Sequence, residues 1–153
     1  MPDESKQNLV DLLVRIPFFD ELLPAECKKI LQVCTNASFA EGKTIFPAGT
    51  PGTQLMILLK GDLRIELADG KEVATLKPLE TVGEMEVLTG APRAASVVAV
   101  TPVSGLLMSR PDLEALINRE PFLGIKLLRN IISSLSHKLV AANSRVRELS
   151  SGR

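Results

Sequence analysis

The sequence predicts an α+β chain that is mainly β, with a small antiparallel barrel or roll in its middle and helices before and after it. Three observations predict this. From Ala37 to Met108 the apolar residues come in short runs rich in Leu and β-branched side chains. These runs are punctuated by Gly42, Pro47, Gly49, Pro51-Gly52, Gly61-Asp62, Asp69-Gly70 and Pro78, and short strands at this spacing close into a barrel or roll. On either side the apolar residues recur at steps of three and four, which is the helical period. Finally, 153 residues with 45% apolar content supply one well-filled core and leave no room for a second domain. The expected organisation is a helical segment over 1–36, the roll over 37–109 and C-terminal helices over 110–153.

The first helix is expected from about Ser5 to Arg15, with Leu9, Leu12, Leu13 and Ile16 on one face, stopping before Pro17. A second starts near Pro24, carries Ile30, Leu31, Val33 and Cys34 as a stripe, and gives out before Asn36. Cys27 and Cys34 lie seven apart on it. That is too far along a helix for a disulfide, and neither belongs to a C-x-x-C pair, so both read as buried thiols. Within the roll, Lys60-Gly61-Asp62 and Ala68-Asp69-Gly70-Lys71 look like hairpin turns joining strands at Leu55–Leu59, Leu63–Leu67 and Val73–Leu76. Ser109, Pro111 and Asp112 give a cap, an early proline and an acidic first turn, so a helix runs from there to about Asn118. Pro121 opens the last and longest helix, and Ser150 to Arg153 reads as a frayed tail.

One segment stands out for function: Val82-Gly83-Glu84-Met85-Glu86-Val87-Leu88-Thr89-Gly90-Ala91-Pro92-Arg93-Ala94-Ala95-Ser96-Val97. It puts a carboxylate, a predicted helix start and one arginine around a single small loop. A cyclic phosphodiester carries one negative charge, which unpaired N–H groups at a helix start can hold and a guanidinium can grip through two oxygens. A ribose hydroxyl needs an acceptor, which Glu84 would provide. Gly83 allows a sharp turn and close approach, while Pro92 fixes the entry to the apolar run from Ala94 to Val100.

This segment resembles the phosphate-binding cassette of the cyclic nucleotide-binding domain family, in which Gly-Glu is followed by small or apolar residues and then Pro-Arg. Upstream, Phe18-Phe19 with Leu22 and Leu23, then Gly42-Lys43-Thr44-Ile45-Phe46, Gly49 and Leu55 to Gly61, fall in the family's order and spacing. The resemblance covers roughly Leu9 to Leu139. It implies an eight-stranded antiparallel β-roll, jelly-roll-like, with N-terminal helices, a short phosphate-binding helix and a long C-terminal helix. It also implies that Glu84 accepts from the ribose hydroxyl, beside Gly83 where the backbone approaches the ligand. Arg93 takes the exocyclic phosphate oxygens, and backbone N–H groups around Met85, Glu86 and Ala94 take the same phosphate. In the family the helix after the roll also acts as a lid over the base.

Two residues depart from the family pattern. Glu86 stands where a small residue is usual, so a second carboxylate either repels the ligand, occupies Arg93 in its place, or points to solvent without effect. Val82 replaces a common aromatic and keeps the position apolar. The residue after the arginine is Ala94, where a hydroxyl residue often accompanies cyclic GMP preference in the family's kinases. Cyclic AMP is therefore expected over cyclic GMP.

In the last helix Ile125, Leu128, Ile132, Leu135, Leu139, Ala142, Val146 and Leu149 advance by alternating steps of three and four. One seam position reads Ile, Ile, Leu, Val and the other Leu, Leu, Ala, Leu, the pattern of a parallel two-stranded coiled coil. A helix of about 25 residues is ~37 Å long and reaches beyond a small roll, so its distal half is expected to meet a second copy of the chain. The alternative for Ile125 to Ile132 is packing on the chain's own domain, since Leu127, Leu128 and Ile131 widen the apolar face there.

Composition bears on other functions. Eighteen basic and eighteen acidic residues cancel, leaving no general field for nucleic acid. The absence of Tyr and Trp argues against a base-stacking platform. One histidine, His137, cannot furnish a cupin-like metal cluster, and no nucleophile–base pair is signalled. No long apolar stretch marks a membrane span or signal peptide. The expectation is a cytoplasmic, non-enzymatic homodimeric sensor with no cofactor or metal, a cyclic nucleotide as ligand, and no nucleic-acid or membrane partner. No DNA-binding helix pair follows the long helix before Arg153, so an unidentified effector protein acts in trans or the sequence is a piece of a longer chain. The rival reading is a dimeric interaction protein that lost ligand control through Glu86. Lys138, Arg145 and Arg147 read as a solvated helix face or a contact for an acidic partner.

Overall fold

A computed structural model of the chain describes residues 2–151, with side chains from residue 8 to residue 150. The N-terminal part comprises α1 (Pro2–Leu13), a 3-10 turn (Pro17–Phe19) and α2 (Pro24–Gln32). Eight strands follow: β1 (Thr35–Phe39), β2 (Thr44–Phe46), β3 (Gln54–Lys60), β4 (Leu63–Glu66), β5 (Glu72–Leu76), β6 (Thr81–Val82), β7 (Ser96–Ala99) and β8 (Val103–Ser109). The helix α3 (Glu84–Thr89) lies between β6 and β7, and α4 (Arg110–Arg119) and α5 (Pro121–Ser151) close the chain. The strands form two antiparallel four-stranded sheets in the orders β1-β8-β3-β6 and β2-β7-β4-β5. This is the expected roll.

The uninterrupted apolar run of β3 follows from burial on both faces, because successive side chains of a strand point to opposite sides. Met56 and Leu58 face the interior of the roll with Phe46, Leu63, Val82, Val97, Ala99 and Val103. Leu55 and Ile57 face outward, and with Leu106 and Met108 of β8 they join a second core built with the helices. That outer core takes Leu13, Phe19, Cys27 and Ile30 from the N-terminal segment and Leu113, Leu116, Leu123, Leu127 and Ile131 from α4 and α5.

Four expectations are corrected. Lys60-Gly61-Asp62 does not close a hairpin: β3 and β4 lie in different sheets, so the turn carries the chain from one layer to the other. The Ala68–Lys71 turn is a true hairpin, with Leu67 N–H donating to the Lys71 carbonyl and β4 paired with β5. α1 begins at Pro2 and ends at Leu13, two residues before Arg15, as Arg15 and Ile16 N–H groups shift to carbonyls three residues back. Cys34 lies past the end of α2, half-buried, while Cys27 is buried within the helix. Finally, α5 continues through Ser151, so Ser150 and Ser151 belong to the helix; Gly152 and Arg153 lie outside the described residues.

The proximal part of α5 is fastened to the domain in several ways. Leu123, Leu127 and Ile131 are buried, and Asn130 Nδ2 donates to the carbonyls of Phe18 and Asp20 at 2.9 Å each. Lys126 pairs with Glu26 at 2.8 Å, and just before the helix Lys29 pairs with Glu120 at 2.9 Å. The Leu23 backbone N–H, and after it Lys126, hold the Glu26 carboxyl below its usual range. From Ser136 to Ser150 every residue of α5 is exposed.

Candidate functional site

The site is built where β6 runs into α3 and where the chain enters β7. Gly83, between β6 and α3, has φ +84°, a backbone region that side chains with a Cβ avoid. A Cβ at this position would lie 2.6 Å from Arg93 Nη1 and 3.0 Å from the Gln54 carbonyl oxygen. Conformation and close approach therefore both require glycine here. The turn brings the first residue of α3, Glu84, inside the domain.

Glu84 is 2% exposed. Its carboxylate is bonded by the ammonium group of Lys138, which reaches down from α5, 54 residues later in the chain. Lys138 Nζ also lies 3.4 Å from the Thr81 carbonyl oxygen. The Lys138 side chain is 48% exposed against 3% for that of Glu84, so a flexible surface cation covers a buried anion. A cavity of about 260 Å³ adjoins Lys138, with Pro17, Phe18, Leu79, Thr81, Ser134 and His137 in its walls.

Arg93 is 5% exposed and held on several sides. Its Nη2 donates to the Gln54 carbonyl at 2.5 Å, and its guanidinium carbon stands 3.8 Å from the centre of the Phe46 ring, a cation–π contact. Its backbone is fixed too: Arg93 N–H donates to the Thr50 carbonyl at 2.9 Å, and its own carbonyl accepts from Gly49 N–H at 2.8 Å. Burial pulls the guanidinium below its ordinary pKa and Glu86 opposes this; an arginine starting so high stays charged. The result is a cation oriented by protein contacts before any ligand arrives.

Glu86 Oε2 lies 3.8 Å from Arg93 Nη1. The loop at Gly52 presses against this residue, since a Cβ on Gly52 would fall 2.1 Å from the Glu86 Cβ. Among the three expectations for Glu86, free projection into solvent is therefore set aside: its side chain is 19% exposed and turned toward Arg93. Met85 and Ala94 are exposed on either side. All six expected residues, Gly83, Glu84, Met85, Glu86, Arg93 and Ala94, thus come together. The carboxylate beside Arg93 is that of Glu86, and the ion partner of Glu84 is Lys138. Sequence reasoning missed the Glu84 role of Lys138, the Gln54 carbonyl and the Phe46 ring. Nothing in a single sequence signals a lysine–glutamate contact across 54 positions, and a carbonyl acceptor leaves no mark at all.

On α5 the expected seam is turned outward. Ile125, Ile132, Leu139, Ala142, Val146 and Leu149 are exposed, Ile132 by 65% and Leu149 by 79%, while Leu128 and Leu135 are half-buried. The neighbouring stripe of Leu123, Leu127 and Ile131 makes the contact with the chain's own domain. Further along, Arg145 Nη1 donates to the Val73 carbonyl of β5 at 3.2 Å. Among the described residues there is no cluster of three or more potential metal ligands, and no helix is long and apolar enough to cross a membrane.

The family model for the cyclic nucleotide-binding domain matches residues 37–120, which take in α4 and all of the roll but the first two residues of β1. The chain belongs to the cyclic nucleotide-binding domain family. A solved cyclic nucleotide-binding domain from Methylobacillus flagellatus superposes with a TM-score of 0.83 at 23% identity, over 94% of this chain and 83% of that one, and shares the fold. A CRP-like cAMP-activated global transcriptional regulator of Mycobacterium tuberculosis is 27% identical over 91% of this chain and 62% of its own length. A Bradyrhizobium diazoefficiens protein named glutaminase 2 is 32% identical over 85% of this chain and 21% of its own length. The chain thus spans a fifth of one of these curated relatives and under two-thirds of the other. Within the cyclic nucleotide-binding domain, the sequence from β6 to β7 is the cassette that resemblance singled out.

Proposed function

We propose that this chain is a ligand-controlled regulatory module that binds a cyclic nucleotide, cyclic AMP in preference to cyclic GMP, and performs no catalysis. The observation that carries this is the pre-oriented Arg93, buried yet charged, three positions before the start of β7 with Glu84 across Gly83. In this reading Arg93 takes the exocyclic phosphate oxygens in charge-assisted bonds. Glu84 accepts from the ribose hydroxyl, Gly83 permits close approach, and backbone N–H groups at Met85, Glu86 and Ala94 complete the phosphate cradle. Ala94 has no hydroxyl to offer a guanine, and the Mycobacterium tuberculosis relative is named for activation by cAMP; both favour cyclic AMP. No cofactor or metal is needed for this chemistry.

The module works as a homodimer through the outward seam of α5, and its signal passes to an effector protein in trans. The exposure of six of the eight seam residues supports this, because a continuous apolar stripe on a soluble helix is stabilised by a partner helix. A cytoplasmic location suits such a sensor. Equilibrium dialysis with labelled cyclic AMP and cyclic GMP tests the ligand assignment: saturable retention of cyclic AMP, weaker retention of cyclic GMP and none with Arg93→Ala is expected.

A second reading has one observation in its favour. Glu86 beside Arg93 places a carboxylate where the phosphate would sit, and a ligand-independent dimeric interaction protein results if that charge shuts the site. Failure of the wild-type chain to retain either nucleotide, with retention restored by Glu86→Ala, would select this reading.

A further inference from the structure

We propose that Lys138 is an internal competitor for the ribose acceptor, a latch from α5 that a bound nucleotide must lift off Glu84. The inference rests on the reading of Glu84 as the ribose-binding carboxylate. It goes beyond that reading by making affinity and the position of α5 depend on one lysine.

The argument begins with access. The Glu84 side chain is 3% exposed, so a sugar hydroxyl cannot reach its oxygens while their present cover remains in place. Val82 and Val87, on either side, belong to the cores. The Lys138 side chain is half-exposed on a long flexible stem and is the cover that can leave. It also has somewhere to go, because the cavity of about 260 Å³ beside it has Ser134 and His137 of the same helix in its wall. A hydroxyl arriving at Glu84 replaces the donor that departs, so the buried carboxylate keeps a hydrogen bond throughout.

The consequence for α5 follows from where its anchors lie. Up to Ile131 the helix is held by buried Leu123, Leu127 and Ile131 and by Asn130. Beyond Leu135 the ties from α5 to the roll include the bonds of Lys138 to Glu84 and the Thr81 carbonyl, and of Arg145 to the Val73 carbonyl. These two cations lie seven residues apart and flank the apolar seam. Lifting Lys138 removes the stronger of the two, since a charge-assisted bond to a buried carboxylate outweighs an exposed bond to a carbonyl. The distal seam then loses its tie to the buried carboxylate, and ligand and helix position are coupled through competition for that one group.

The test is calorimetric titration of the whole chain with cyclic AMP, comparing wild type with Lys138→Met and Lys138→Gln. Gln keeps a donor for Glu84 without the charge, which guards against misfolding of the Met variant. Titration in about 0.3 M salt screens any general attraction between Lys138 and the phosphate. The expected result is tighter binding in both variants, about tenfold for Met, together with hydrogen exchange over residues 139–149 that changes on ligand addition in wild type and no longer changes in Lys138→Met. Equal or weaker affinity in both variants overturns the latch and leaves the nucleotide site standing. No saturable heat from any of the three chains overturns the nucleotide reading instead, and the latch with it.

Discussion

Glu86 Oε2 stands 3.8 Å from Arg93 Nη1, beyond hydrogen-bond reach yet near enough for the carboxylate to meet any anion that approaches the guanidinium. Gly52 backs Glu86 so closely that the residue cannot withdraw along that side. The carboxylate next to the Arg93 guanidinium is therefore part of the site. Replacing Glu86 with Ala is expected to tighten cyclic AMP binding by about tenfold, the size of one interaction between half-buried charges. Calorimetry on the two chains checks it, and unchanged affinity would show that the repulsion is negligible.

Arg93 is expected to be intolerant even of lysine. A lysine keeps the charge but loses the planar fork that reaches the Gln54 carbonyl and stacks on Phe46. Arg93→Lys should weaken cyclic AMP binding by about a hundredfold or more, with the circular dichroism spectrum of the folded chain retained. Affinity close to wild type would mean that charge alone suffices.

The two apolar stripes of α5 should separate cleanly by mutation. Leu127 is fully buried, so Leu127→Ala is expected to lower unfolding free energy by about 2–5 kcal/mol. Leu139 is exposed, and Leu139→Ala should leave a monomer's stability nearly unchanged while weakening self-association. Chemical denaturation paired with sedimentation velocity distinguishes the two effects. A dimer indifferent to Leu139→Ala would remove the seam from the interface.

Stability is expected to fall in alkali through Cys34. Desolvation pushes its thiol up to about 12, well above the ordinary thiol range, with Asp112 adding to the shift. The native thiol therefore keeps its proton where the unfolded one loses it. Its contribution is complete below pH 9 and is lost as pH rises from there toward 12, at a slope of up to about 1.4 kcal/mol per unit. Cys34→Ala should flatten that part of the denaturation profile, and an identical slope in both chains would contradict the assignment.

The roll was legible because its signals are local. Turn residues sit between short apolar runs, and the Ser109 cap is written as it is used, with the Ser109 hydroxyl accepting from Asp112 N–H at 3.2 Å. The cassette was legible because Gly83, Glu84, Pro92 and Arg93 lie within eleven residues of the chain, so a linear motif preserves their spatial relation. Pairing between layers was not legible: Gly61 supplies a turn whichever sheet the next strand joins, and only the pleat of the assembled roll decides. Nor was the meeting of Lys138 with Glu84, which depends on the direction in which α5 leaves Ile131. Lys138 reads as one of several cations on a helix face until the roll beneath it is in place.

The most direct test of the central claim is calorimetric titration of the wild-type chain and Arg93→Ala with cyclic AMP under the same conditions. The geometry of Glu84, Gly83 and Arg93 predicts one saturable site per chain in the wild type and its loss in the variant. Equal heats from both chains, or no heat from a folded wild type and from Glu86→Ala alike, would contradict it.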